Sequence, residues 1–220
     1  MRAPWHNRAV QDALAQVAAA GFDLSHDFDT RGIADLPPGR GILIGNSRAL
    51  WPLFEAARRD EDDPLEHYTE RVIDTAFAGD AAFAGARTFY AHRKYDGSFI
   101  PFQKIAVATG FGALAPSRLV VHPRFGPWFA LRAIVVVVGT GRSRVPIAQP
   151  CTCEANCAVA LDAALADPFE WRAWLAVRDA CKLRAERYSD EQIHYHYTHA
   201  FPGKREHVPH VGEPTPRKPR

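Results

Sequence analysis

The run Phe129-Ala-Leu-Arg-Ala-Ile-Val-Val-Val-Val138 constrains what this chain can fold into more than any other stretch. Its apolar, β-branched residues form a block instead of alternating with polar ones, which suits a strand buried on both faces at the centre of a sheet. Such a strand needs neighbours on either side and helices over it, so a mixed helix-and-sheet domain is expected. A chain of 220 residues, 47% hydrophobic and 24% charged, can bury one substantial core of this kind, and a second full domain would leave little for either.

Elements that could surround the central strand are legible along the chain. Pro4 to Ala20 reads as an amphipathic helix stopped by Gly21, and Gly41-Ile-Leu-Ile-Gly45 as a buried strand. Ser47 is placed to cap a helix beginning at Arg48, and Pro64 suits the first turn of another running through Phe77. Arg87 to Tyr95, followed by the Asp96-Gly97 turn signal and Phe99-Ile100, reads as a hairpin. A short helix is expected over Gln103 to Gly112, a strand over Arg118 to His122, and helices near 154–165, 170–181 and 189–199. From Pro202 onward, prolines and basic residues with few apolar side chains predict a flexible tail at 202–220, which leaves one domain over 1–201.

A formal net charge of +2 from balanced acids and bases carries no polyanion-binding excess, so nucleic acid is not an expected partner. No apolar run follows a basic N-terminal start, and none is long enough to cross a bilayer, so a soluble, cytoplasmic protein is expected, as monomer or homodimer.

Chemistry concentrates between residues 106 and 132. Pro123 and Gly126 turn the chain sharply, His122 ends a strand, and Phe125 with Trp128 offers flat apolar surface beside backbone donors, which suits a planar macrocycle as well as it suits an aromatic hairpin core. Arg132 falls within the buried strand, where an arginine is rare unless it faces an anion or pairs with a carboxylate such as Asp179. Cys151, Cys153 and Cys157 crowd one insert near 147–157, with Cys181 further on. The spacing is unlike a secreted disulfide framework and leaves open an iron-sulfur cluster, a tetrahedral zinc or reduced thiols. His194, His196 and His199 crowd the last helix, where only His196 and His199 share a face, so rim residues are the simpler reading.

The stretch Leu119-Val-Val-His122-Pro123-Arg124-Phe125-Gly126-Pro-Trp128-Phe-Ala-Leu131-Arg132 resembles the core of the cobalamin C type of cobalamin-processing proteins, the cyanocobalamin reductase and alkylcobalamin dealkylase family. Trp171-Arg-Ala-Trp174, Arg178-Asp179-Ala180 and Glu186-Arg187-Tyr188-Ser189-Asp190-Glu191-Gln192 look like its C-terminal helices, and Asp63-Pro64-Leu65 is a weaker match. The resemblance implies an α+β, nitroreductase-like (flavin reductase-like) fold, a central antiparallel sheet flanked by helices. It also implies an enzyme that binds cobalamin and removes its upper ligand by reductive decyanation or thiol-dependent dealkylation. Glutathione would be held by Arg132 and Arg178, and FMN or a flavin reductase would serve as electron donor, with no catalytic side chain assigned.

Gly110-Phe111-Gly112 is similar to a segment of the epoxyqueuosine reductases, where glycine lets backbone approach the corrin, although a glycine pair after a helix is equally a C-cap. That similarity keeps open a corrinoid and iron-sulfur dependent reductase, and a noncatalytic cobalamin carrier stands beside it. Expected cobalamin contacts are therefore Gly110, Phe111, Gly112, His122, Pro123, Phe125, Gly126 and Trp128, with Cys151, Cys153, Cys157 and Cys181 as metal candidates. The animal relatives carry a histidine and a tyrosine-rich stretch where this chain has Gly110 and Leu114-Ala-Pro-Ser117, which alters pocket shape.

Overall fold

The computed structural model describes residues 4–78, 80–147, 151, 153 and 156–198. Helix α1 (Pro4–Ala19) ends at Gly21, whose φ of +97° reverses the chain and whose Cα leaves no room for a Cβ beside Leu50. The chain then enters a four-stranded antiparallel sheet ordered β1 (Leu24–Asp29), β2 (Arg40–Asn46), β8 (Ala130–Val137), β3 (Arg87–Tyr90). The apolar run found in the sequence is β8, and it is central as expected, pairing β2 on one side and β3 on the other. Both of its faces are sealed: Ile134 and Val136 on one, Ala133, Val135 and Val137 on the other, none more than 5% exposed. One face joins Phe28 and Leu43 to Phe89 and to Phe102, Ile105 and Ala106 of α4 (Phe102–Thr109).

Helices α2 (Leu50–Ala57) and α3 (Pro64–Ala78) pack with α1 through Phe22, Phe54 and Tyr68, and Tyr68 Oη donates to the Ala20 carbonyl at 3.0 Å. Pro64 opens α3 as expected, because the first turn needs no N–H from it. Helix α2 starts two residues later than expected. Ser47 is drawn away by Asp23, which accepts from both its N–H and its hydroxyl, and Ser47 Oγ accepts from Ala49 N–H ahead of the helix.

The hairpin expected over Arg87 to Ile100 is divided. Arg87–Tyr90 joins the central sheet as β3, and only β4 (Lys94–Tyr95) and β5 (Ser98–Phe99) form the hairpin, with Asp96 and Gly97 both at positive φ in its turn. The strand expected over Arg118 to His122 shrinks to β7 (Val120–Val121), paired with β6 (Ala113–Leu114). Helices α5 (Asn156–Ala166) and α6 (Trp171–Asp179) pack through Leu161, Ala164 and Val177, and Glu170 caps α6 by accepting from Arg172 N–H at 2.8 Å.

The chain divides into two units, Met1–Tyr188 and Ser189–Arg220. In the second, α7 (Asp190–Thr198) begins at Ser189, whose Oγ accepts from Gln192 N–H, with Asp190 and Glu191 in the first turn where acids suit the helix dipole. The tail expected at 202–220, and His199, lie outside the described residues. No described helix is long and apolar enough to cross a membrane.

Candidate functional site

A cleft of about 260 Å³ opens where the end of β3, the start of α4, the β6–β7 hairpin and the last turn of α6 meet. Ala91, Phe102, Leu119, Val120, Pro127, Phe129 and Leu131 make it apolar, and Arg178 sets a charge in its wall. Backbone hydrogen bonds hold two parts of the wall: Ala91 N–H donates to the Arg132 carbonyl at 2.9 Å, and Trp128 N–H donates to the Phe125 carbonyl at 3.0 Å, which closes the turn carrying Pro127. Sites for small organic ligands are usually about 300–1,000 Å³, so this cleft is at the small end of that range.

Beside the cleft stands a box of aromatic rings. His122 lies 5.0 Å from Phe111, 5.0 Å from Phe125 and 6.4 Å from Phe129, centroid to centroid. It is paired to Gly126 by two backbone hydrogen bonds of 2.9 Å, and its Nδ1 accepts from Arg124 N–H at 3.1 Å, so in the neutral ring the proton sits on Nε2. Burial, followed by the charges of His26 and Arg124, pulls its pKa below the ordinary histidine value. His26 was not anticipated as a site residue. It reaches this box from β1, edge-on to Phe111 at 5.9 Å, while its Nε2 donates to the Thr109 carbonyl at 2.9 Å.

Trp128 is fully buried, contrary to the expectation that it offers an open face. The guanidinium carbons of Arg178 and Arg187 lie 5.7 and 5.5 Å from its ring centroid, and Tyr188 meets it edge-on. Its indole N–H is buried with no acceptor among the described residues, an arrangement that costs about 1–3 kcal/mol unless something accepts from it. Phe125 is buried too, under the Arg124 guanidinium.

Asp179, a possible partner for Arg132, instead takes Arg187 Nε at 2.8 Å. Arg132 Nε donates to the fully buried Asn46 amide oxygen at 2.7 Å, and Arg132 is not among the side chains lining the cleft. Of the two arginines expected to act together, the structure therefore puts Arg178 on the cleft and Arg132 outside its lining. No carboxylate pairs with Arg178 among the described residues, so it is the cation available to an anionic ligand.

The glycines are packed by the chain's own backbone. Gly110 caps α4 at φ +83°, and a Cβ there would lie 2.1 Å from the Val145 carbonyl oxygen; one on Gly126 would lie 1.8 Å from that of Leu183, and one on Gly112 2.7 Å from Val120. What approaches them closely is backbone and side chain of this protein. Pro123, between His122 and Arg124, falls in the β-turn and is not among the cleft-lining residues. The four cysteines form no disulfide, and among the described residues no three ligating side chains are grouped to hold a metal ion. The described residues therefore present no preformed zinc or iron-sulfur site.

Arg187 and Asn46 were missed beside His26. Arg187 lies within the Glu186-Arg187-Tyr188 block that carried the family resemblance, so a signal was present; Asn46 ends a strand read only for its apolar residues.

A family model described as the methylmalonic aciduria and homocystinuria type C family matches residues 81–208. A bovine protein named cyanocobalamin reductase / alkylcobalamin dealkylase is 40% identical over 78 residues, 36% of this chain and 27% of that protein. The mouse protein of the same name is 31% identical over 118 residues, 54% and 38% of the two chains. These matches span about a quarter to two fifths of the relatives' length. A crystal structure of a C. elegans B12-trafficking protein, CblC, overlays with a TM-score of 0.67 at 14% identity, covering 88% of this chain and 90% of that one. That overlay shows a shared, nitroreductase-like fold.

Proposed function

The chain belongs to the methylmalonic aciduria and homocystinuria type C family, and on that premise we propose that it is an enzyme that processes cobalamin, removing the upper axial ligand by reductive decyanation or thiol-dependent dealkylation. The observation that carries the reading is the apolar cleft with Arg178, which no carboxylate among the described residues pairs, built largely from the Leu119–Leu131 segment and the end of α6, two stretches on which the family resemblance rests. Phe129, Leu131 and Val120 offer the apolar wall, and excluding water there favours removal of a ligand from cobalt over its exchange with solvent.

Cobalt supplies the bond-breaking chemistry once the substrate is bound. The protein's own part is orientation and charge. Arg178 is a donor suited to a carboxylate, which fits glutathione as the second substrate. Held there, the glutathione thiolate attacks the alkyl carbon, the carbon–cobalt bond breaks with its electron pair left on cobalt, and a thioether leaves. Decyanation needs an electron donor, for which reduced FMN brought by a flavin reductase is the expected source; no residue described here is assigned to flavin. Arg132, tied to Asn46, links the two central strands β8 and β2.

The test is optical. Hydroxo-, cyano- and methylcobalamin are each added to micromolar protein, and the visible spectrum is followed with and without glutathione and with reduced flavin. A spectral shift on binding, and demethylation that requires both protein and glutathione, are expected. No shift with any of the three removes the proposal, and binding without ligand removal under all conditions makes the protein a carrier.

A further inference from the structure

Cys151, Cys153, Cys157 and Cys181 take no part in the cleft, yet the fold packs Cys151 against the apolar cluster that holds Cys181. Helices α5 and α6 are joined through only residues 167–170 and pack along their length, so they run antiparallel. The register that groups Leu161 and Ala164 with Ala173, Trp174 and Val177 sets Cys157, in the first turn of α5, opposite Cys181, two residues beyond α6. Cys151 is packed, half-buried, against the apolar cluster of Ala115, Val121 and Cys181, beside Leu183. Burial raises the Cys181 thiol pKa against the lowering effect of a backbone hydrogen bond from Leu183, and the charges of Cys153, Cys151 and Cys157 add to the rise.

Thiols gathered from two separate parts of a chain, two of them half-exposed, are the arrangement from which a disulfide closes. We propose that this cluster is a redox modification site in which an oxidant of the peroxide class joins Cys151 to Cys181. The half-exposed Cys151 thiolate attacks the peroxide, giving a sulfenic acid and releasing the peroxide's other oxygen as hydroxide. The buried Cys181 thiol then displaces that oxygen as water, so that two thiols and one peroxide give one disulfide and two waters. A thiol reductant reverses it.

The bond ties together two segments that already press on the aromatic box. The strap before Cys151 sets the Val145 carbonyl against Gly110, and the strap after Cys181 sets the Leu183 carbonyl against Gly126. Gly110 precedes Phe111, and Gly126 is bonded to His122, so oxidation stiffens the box from both sides. This inference stands whether or not the cleft takes cobalamin.

The experiment uses the full chain, reduced anaerobically and then treated with stepwise hydrogen peroxide, with thiol titration, intact mass and non-reducing peptide mapping. Two thiols are expected to vanish per chain with loss of the mass of two hydrogens, a Cys151–Cys181 peptide to appear, and the melting temperature to rise by about 5–10 °C, since the bond closes a long loop. Dithiothreitol should reverse all three. Cys181→Ser should halt the reaction at a sulfenic acid on Cys151 that dimedone traps, a readout that holds even if Cys151→Ser does not fold. Four titratable thiols after excess peroxide, a Cys151–Cys153 link in place of the expected one, or a stoichiometric metal that shields all four thiols overturns the proposal.

Discussion

Trp128 and Arg178 meet face to face, and the pair divides labour: the indole is locked in the core, while the guanidinium on its face also reaches the cleft. Arg178→Ala should therefore leave cobalamin binding within about twofold and lower glutathione-dependent dealkylation by about 10–100-fold, mostly through a higher KM for glutathione, because one charge-assisted contact contributes about 1.5–3 kcal/mol. Steady-state kinetics at fixed cobalamin measure this, and unchanged KM removes Arg178 from the thiol site. Gly126 tests packing. Its φ of +58° and the Leu183 carbonyl leave no place for a methyl group, so Gly126→Ala should cost about 2–4 kcal/mol in denaturant unfolding, while Gly97→Ala, equally at positive φ but facing open space, costs about 1 kcal/mol. His122 and the neighbouring aromatics were legible in the sequence because they are adjacent along the chain, and so was the special role of Gly126. What was not legible is which way the rings face. An aromatic flanked by a turn reads the same whether it lines a cleft or is enclosed, and the enclosure of Trp128 comes from Arg187, nearly sixty residues away.

The central strand, its α4 neighbour and the α5–α6 pair were visible as periodicity, whereas β1 was not, since Leu-Ser-His-Asp-Phe-Asp carries only two large apolar residues and sits at the sheet edge. Losing β1 also loses His26, the one site residue it delivers. Strand β3 was misassigned to a hairpin because local turn chemistry cannot report that a strand's partner lies more than forty residues ahead, in β8. What holds β3 to α3 is a hydrogen bond of 2.5 Å from Tyr90 Oη to Asp74 Oδ1, with Glu70 accepting from Arg93 Nε at 2.6 Å and paired to His92 at 2.8 Å beside it. Burial, then the hydrogen bond to Asp74 and its charge, push the Tyr90 pKa well above the ordinary tyrosine value. The folded state therefore keeps this proton where the unfolded state gives it up, so the contribution is complete below about pH 10 and declines as pH rises beyond it. Tyr90→Phe should lower stability by about 1–2 kcal/mol at pH 7, leaving Asp74 without its donor, and flatten the alkaline limb of a stability–pH curve. An unaltered alkaline limb would show that another group governs it.

At the scale of the whole molecule, family membership and fold agree while identity to a solved relative is only 14%, so what the overlay shows to persist is the fold. A near-neutral charge balance gives no long-range field to steer an anionic partner, which leaves recognition to the cleft and its neighbours. Binding there has a measurable signature spread over the fold. A ligand that binds the folded state alone stabilises it by about 2.7 kcal/mol at a hundred times its Kd, which for a unit of this size raises the melting temperature by about 5–10 °C. Hydroxocobalamin should do this, and amide hydrogen exchange should slow most around Phe102, in the Leu119–Leu131 segment and near Arg178, where slow exchange reports local opening that the ligand opposes. The β1 edge and the α1–α3 group, packed through their own aromatics, should change little. Below pH 6.5 the effect turns on His122: its depressed pKa means the folded state favours the neutral ring, so stability is present above that pH and is lost as pH falls, through uptake of a proton by the unfolded chain first. His122→Phe should remove that acid-side loss and, if the box supports the cleft, weaken the cobalamin-induced shift measured at pH 7.5. Protection concentrated on the β1 edge instead, with no change near Arg178, would place the ligand on a different face and detach the cleft from cobalamin altogether.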